Sequence, residues 1–269
     1  MWALLAACLL PTAGGVGNGN AVAASADGEP AAPEAAEGYR LLRTKAYLPA
    51  DLDQEIFDAL PQVWEEPLRS RASEATPAER RLMAMERYGL TPDPKDSSRS
   101  LQYVIAADGS WTMSCLACHQ GQVAGRVIPG VPNSTYALET LTEDVRLVKI
   151  RQRKPLGHMD VGSLLLPLGT TAGTTNAVVF GMALMHHRDR DLTILSKPPL
   201  LDMPHHDMDA PAWWHVKKKQ RLYADGFAPA GHRMLMQFLL VKENGPEKFR
   251  EWEDDFRSIE AWIDSLEPP

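Results

Sequence analysis

Six consecutive residues, Ser114-Cys115-Leu116-Ala117-Cys118-His119, hold the richest chemistry in this sequence. Two thiols stand about one helical turn apart, and an imidazole follows the second directly. Such a set can form a redox pair, supply half of a zinc site, or add to both vinyl groups of a porphyrin while the histidine binds its iron. A redox pair would head a helix after a buried βαβ strand, and no such pattern surrounds these residues. A zinc ribbon needs a second C-x-x-C, which the sequence lacks. The spacing therefore predicts one covalent haem c on Cys115 and Cys118, with His119 as proximal ligand. A chance C-x-x-C in a partner-binding scaffold is the non-redox alternative.

What such a haem would do depends on the face opposite His119. A methionine or histidine there makes an electron carrier, whereas an open position admits oxygen or peroxide. Met234 and His232 are the candidate sixth ligands, just after an aromatic segment, and Met234 also fits an apolar helix face. Trp213 and Trp214 are candidates to pack on the cofactor, with ordinary core packing as their other reading. His158-Met159 lies in a basic loop, His186-His187 and His205-His206 read as solvated pairs, and Met182 and Met185 as core filler. Lys217, Lys218, Lys219 and Arg221, with Arg151, Arg153 and Lys154, read as a solvated basic face. Such a face also suits haem propionates or the steering of an acidic redox partner.

The rest of the chain sets the context. Its 269 residues suffice for a sizeable core, and the formal net charge of -7 excludes electrostatic support for a nucleic-acid partner. With 21 prolines and 19 glycines, long irregular connections are expected. Residues 1–26 read as a signal peptide: Trp2 to Leu10 is apolar, and Ala21-Val22-Ala23 or Ala24-Ser25-Ala26 suits cleavage, although no Lys or Arg precedes the apolar run. Leu5-Ala6-Ala7-Cys8 also matches a lipobox, which would tether the protein through Cys8. No later segment has the ~20 apolar residues of a membrane span. The expected location is the periplasm or beyond, and the protein is not expected to be integral to a membrane. Of three cysteines, only Cys115 and Cys118 would remain after export.

Residues 24–38 read as a disordered or extended leader, within an N-terminal extension with short helices over 27–100. A haem domain is expected over 101–269. Helices are predicted at 53–60, at 77–89 behind the capping sequence Thr76-Pro77-Ala78-Glu79, and at 134–153, 174–187, 230–242 and 246–266. Residues 101–113 alternate as a small hairpin turning at Asp108-Gly109, whereas 120–133 and 192–210 read as irregular.

Further stretches resemble the bacterial c-type cytochromes grouped with di-haem cytochrome c peroxidases and rubber oxygenases. Cys115 to Gly121 followed by Pro129-Gly130-Val131-Pro132-Asn133 is similar to their haem motif and haem-edge loop. Asp209 to His215 with Leu222 to Phe227 is similar to a second family segment, with Ala224 where many members have histidine. Ile259 to Pro269 resembles the terminal helix of class I cytochrome c domains. The resemblance covers about residues 100–269. It implies a mainly α, cytochrome c-like haem domain with a small β-hairpin and long loops. A second haem domain commonly follows such an ending, so this chain reads as the first half of a di-haem protein or one whose second domain was lost. In the rubber-oxygenase group the oxygen-binding haem has an aromatic distal side, and Trp213, Trp214 and Phe227 would take those places. The expected function is one-electron transfer with a redox partner protein outside the cytoplasm. The alternative is a haem-dependent oxygenase or peroxidase half-domain using Trp214 and Phe227.

Overall fold

The computed structural model describes residues 33–166, 168–197, 207–223, 226 and 228–269. The expected signal peptide, Cys8, His205-His206, Ala224 and Phe227 lie outside the described residues. Helix α1 (Pro33–Thr44) begins inside the stretch that composition marks as a leader, which corrects that expectation for 33–38. Ala35, Gly38, Leu41 and Leu42 are buried at helical spacing, so the segment owns a core face despite its Ala/Glu/Pro bias.

Strand β1 (Leu52–Asp53) runs into α2 (Gln54–Ala59), where the Asp53 carboxylate accepts from Ile56 N and caps the first turn. Helix α3 (Leu68–Glu74) has no counterpart in the sequence reading; it buries only Ala72 and offers no apolar stripe. Helix α4 (Pro77–Tyr88) starts on the expected capping box, with Thr76 and Glu79 bonded reciprocally, and stops at Gly89. Strands β2 (Pro92–Asp93) and β3 (Asp96–Ser100) form a short ribbon. The expected hairpin follows as β4 (Tyr103–Ile105) and β5 (Ser110–Met113), with Tyr103 opposite Met113 and β1 on the other edge of β5.

Strand β5 leads directly to α5 (Leu116–His119), the single turn that carries the motif. Residues expected to be irregular then pair as β6 (Gln120–Val123) and β7 (Arg126–Pro129). Their turn residues Ala124 and Gly125 both have positive φ, 48° and 77°, a geometry whose twist suits a tight hairpin. Helix α6 (Leu138–Gln152) starts four residues later than its periodicity suggests. Helix α7 (His158–Leu165) replaces the expected basic loop, because the Asp160 carboxylate accepts from Gly157 N and caps it.

Strand β8 (Thr174–Thr175) precedes α8 (Ala177–His186), which buries Val179, Gly181 and Ala183 but leaves Met182 exposed. Strand β9 (Met208–Asp209) pairs back on β8. A 3-10 helix spans Trp213–Lys218, and β10 (Arg221–Leu222) pairs with β11 (Ala228–Pro229). The helix expected over 230–242 is only α9 (His232–Leu235) followed by a 3-10 turn, Met236–Leu239. The expected final helix is broken at Trp252 into α10 (Pro246–Glu251) and α11 (Glu253–Ser265).

The described chain is thus mainly α-helical, with five small antiparallel sheets and no barrel. Its apolar residues fall into two cores. One joins Phe57, Trp64, Tyr88, Tyr103, Trp111 and Tyr136 to α6. The other joins α1 and Tyr47 to Trp213, Met236 and the inner face of α11. Residues on both sides of position 100 contribute to each core. Helices α1 and α11 touch backbone to backbone: a Cβ on Gly38 would stand 2.0 Å from the Ser258 carbonyl oxygen. Among the described residues, no helix is long and apolar enough to cross a membrane.

Candidate functional site

The two cores meet at α5. Leu116 and Cys115 pack on the α11 side, whereas Ala117 and Cys118 pack on the side of Tyr103 and Tyr136. Leu116 and Ala117 are fully buried, which anchors the turn and leaves the flanking thiols and His119 half-buried. The turn itself is held by local bonds. Leu116 N donates to Ser114 Oγ at 3.2 Å, Ser114 Oγ donates to the Gln102 carbonyl at 3.1 Å, and His119 N donates to the Cys115 carbonyl at 3.2 Å.

Both cysteines are free thiols. Burial pushes the Cys115 thiol up to about 11 and the Cys118 thiol to about 12. Burial thus holds both thiols in the protonated form at neutral pH. Among the described residues, no three His, Cys, Asp or Glu side chains converge as a chelating group.

His119 is oriented by two contacts from far along the chain. Its Nδ1 donates to the Pro211 carbonyl at 3.1 Å, which fixes the tautomer and leaves Nε2 with a free lone pair. Its ring stacks on the Trp213 indole, with centroids 4.2 Å apart and planes 18° apart. Burial lowers the imidazole pKa to about 4, opposed by the Pro211 bond, so Nε2 stays unprotonated at neutral pH. Behind Trp213 the aromatic packing continues: Trp262 meets it edge-on at 5.6 Å, and Tyr39 stacks on Trp262 at 4.9 Å.

Gly130 ties these parts together. Its N–H donates to the His119 carbonyl at 2.7 Å, and its carbonyl accepts from Trp213 N at 2.9 Å. The residue has φ of 84°, a backbone conformation that favours glycine, and a Cβ there would displace the Leu266 side chain, whose Cδ1 would stand 2.6 Å away. Asn133 braces the turn from the other side, its Nδ2 donating to the Ala117 and Gly89 carbonyls at 3.0 Å each. Gln120, buried next to His119, accepts from Tyr39 OH at 3.2 Å and keeps its Nε2 without a hydrogen bond.

The other sequence-predicted residues are not all gathered here. Trp213 stacks on His119 itself. Trp214, half-buried, meets His215 edge-on at 6.1 Å and does not share the stack. His232 is turned to α11: Nε2 donates to Glu253 Oε1 at 2.9 Å, and Nδ1 lies 3.4 Å from Glu260 Oε2. Met234 follows two positions later, near the opposite side of the same helical turn, and its carbonyl accepts from Tyr223 OH at 3.4 Å. Part of the expected basic face is already paired, Lys217 with Glu267 and Lys154 with Asp53 and Glu55.

A scan against protein-family models gives no match for this chain, and a search of curated proteins gives none. The Pro211 carbonyl went unrecognised in the sequence because a backbone acceptor has no side-chain signature. Gln120 and Asn133 follow the motif closely, but their bonds depend on the β6–β7 hairpin.

Proposed function

We propose that this chain is an exported c-type electron-transfer domain with one haem, which Cys115 and Cys118 would bind and His119 Nε2 would ligate. The observation that carries the reading is the orientation of His119. One ring nitrogen is spent on a backbone carbonyl, the other is kept unprotonated by burial, and the ring is stacked against Trp213 beside two thiols. A histidine serving only the core would gain nothing from a fixed tautomer with an idle lone pair.

A bound haem supplies a one-electron ferric/ferrous couple. The chain's own residues do the rest. Cys115 and Cys118 would tether the group, and Trp213, backed by Trp262, would hold the imidazole plane. Of the two candidates for the sixth position, Met234 fits better, since His232 is engaged by Glu253 and Glu260. The reading further takes the domain as cytochrome c-like, its location as periplasmic or extracellular, and its partner as a redox protein.

The test is a pyridine haemochrome spectrum of full-length chain matured in a periplasm competent for haem c attachment. A c-type band that survives acid-acetone extraction supports the reading, and its absence overturns it. A ferric spectrum that is high-spin and changes on adding peroxide would replace the carrier by a peroxidase or oxygenase.

A further inference from the structure

A second group of buried charges lies apart from the thiols, where α6 and α7 pack beside the β1–β5–β4 sheet. Asp51, Lys149 and Asp160 are exposed by only 8%, 5% and 1%. Lys149 Nζ pairs with Asp160 Oδ2 and donates to the Asp51 carbonyl at 2.6 Å. Gly157 N also donates to Asp160 Oδ2, at 2.6 Å. One buried cation is thereby matched to one buried anion, and the Asp51 carboxylate is left over.

The Asp51 oxygens are treated unequally. Oδ2 accepts from Met113 N at 2.9 Å, whereas Oδ1 is buried with no hydrogen-bond partner. His158 brings Nε2 to 3.6 Å from that same Oδ1, just beyond a hydrogen bond, and its Nδ1 is also buried and unbonded. An unmatched carboxylate in such a place is costly, and one added proton held between the two side chains cancels it. Burial accordingly raises the Asp51 pKa, against the opposing influence of His158, Met113 N and Lys149.

The cluster is connected to the motif. Asp51 and Asp160 line a small cavity together with Tyr103, Met113, Thr142 and Met159. Tyr103 OH lies 3.0 Å from Tyr136 OH, which donates to Met113 Sδ at 3.2 Å. Cys118 packs on the same core as both tyrosines. Of the groups facing Asp51 and His158, Lys149 (α6) and Asp160 (α7) neutralise each other, and Tyr103 (β4) and Thr142 (α6) are uncharged. Arg146 (α6) turns its guanidinium to the Asp160 carbonyl and Ser163 Oγ.

We infer that Asp51 and His158 form a binding site for one proton whose occupancy follows the redox state of the group carried on Cys118. This rests on the haem reading given above. Reduction by a one-electron donor protein adds one negative charge to the low-dielectric core, and the pair takes up one proton from solvent to balance it. Oxidation by an electron acceptor reverses both transfers. The pair thus makes this carrier's potential pH-dependent.

The test is a spectroelectrochemical titration of haem-loaded full chain from about pH 5 to about pH 8. The wild-type midpoint potential is expected to fall as pH rises, and Asp51→Asn and His158→Gln to flatten that slope. Proton uptake in weakly buffered solution on reduction gives a second readout, expected to fall by more than half in either variant. Should Asp51→Asn fail to fold, His158→Gln and the wild-type proton uptake carry the test. A pH-independent wild-type potential, or an unchanged slope in a folded variant, overturns the proton site while leaving the haem reading intact. Protein without a haemochrome band overturns the haem reading and the coupling with it.

Discussion

The imidazole of His119 and the indole of Trp213 lie nearly parallel at 4.2 Å, although 94 positions separate them in the chain. Neither residue sits in a long helix: one ends a single turn and the other opens a 3-10 helix. Their alignment is set by Gly130, which bonds the backbone of both. Trp213→Ala should remove the stack and the edge contact with Trp262, and destabilise the protein by about 3–5 kcal/mol. Trp213→Phe should cost less than half of that. Urea unfolding measures both, and an equal loss in the two variants would show that the ring plane is immaterial.

The thiols are predicted to act independently as tethers. Cys115→Ala and Cys118→Ala should each keep haem on a denaturing gel, with the haemochrome band displaced toward that of a haem with one free vinyl group. The double variant should keep none. Haem staining and the reduced pyridine spectrum read the two outcomes.

Acid should act on His119. Its folded-state pKa, lowered by burial to about 4, lies below the 6.5 of an unperturbed imidazole. The unfolded chain therefore takes up a proton that the folded chain refuses. Stability is fully present above about pH 6.5 and is lost as pH falls toward about 4, by at most roughly 3 kcal/mol. Iron on Nε2 would extend the loss to lower pH. Thermal melts across this window should show the slope, and His119→Ala should remove that component.

His232 and Met234 should separate cleanly. Replacing His232 by glutamine is expected to leave the haem spectrum unchanged and to cost about 0.5–1 kcal/mol through the weakened contacts to Glu253 and Glu260. Met234→Leu should abolish a thioether-to-iron absorption band with little loss of stability. A changed band in the histidine variant, with none in the methionine variant, would reverse the assignment of the sixth ligand.

Gly38→Ala tests the crossing of the first and last helices. The new methyl would collide with the Ser258 carbonyl oxygen, 2.0 Å away, so the helices must separate. A loss of about 1–3 kcal/mol is expected, visible as a lower denaturation midpoint.

Much of this architecture was legible where local physics decides it. Thr76-Pro77-Ala78-Glu79 specifies its own helix start, and Asp108-Gly109 its own turn, because both signals are complete within four residues. Helix α1 was hidden because its apolar face is built from Ala35 and Gly38, small residues that count as hydrophobic only once α11 lies against them. Helix α7 was hidden because Asp160 looks like a surface acid until Lys149 and Gly157 bind it. At the site, Cys115, Cys118 and His119 announce themselves by spacing, and Trp213 by its type. The face it occupies, the Pro211 carbonyl and the engagement of His232 by α11 depend on contacts between distant segments, which spacing does not encode.

The bond from His119 to Pro211 spans 92 positions, and this has a consequence for the order of events during synthesis. A chain that has emerged only as far as the β6–β7 hairpin already possesses both thiols and the histidine, but nothing yet to aim the imidazole. Attachment chemistry at the cysteines would meet a mobile, accessible segment, and the ring would acquire its final heading only when residues 211–213 arrive. If the cysteines carry a group, loading and aiming would thus fall at separate moments in the life of the polypeptide: an early, open stage suited to a modifying enzyme, and a late closure that locks the product in.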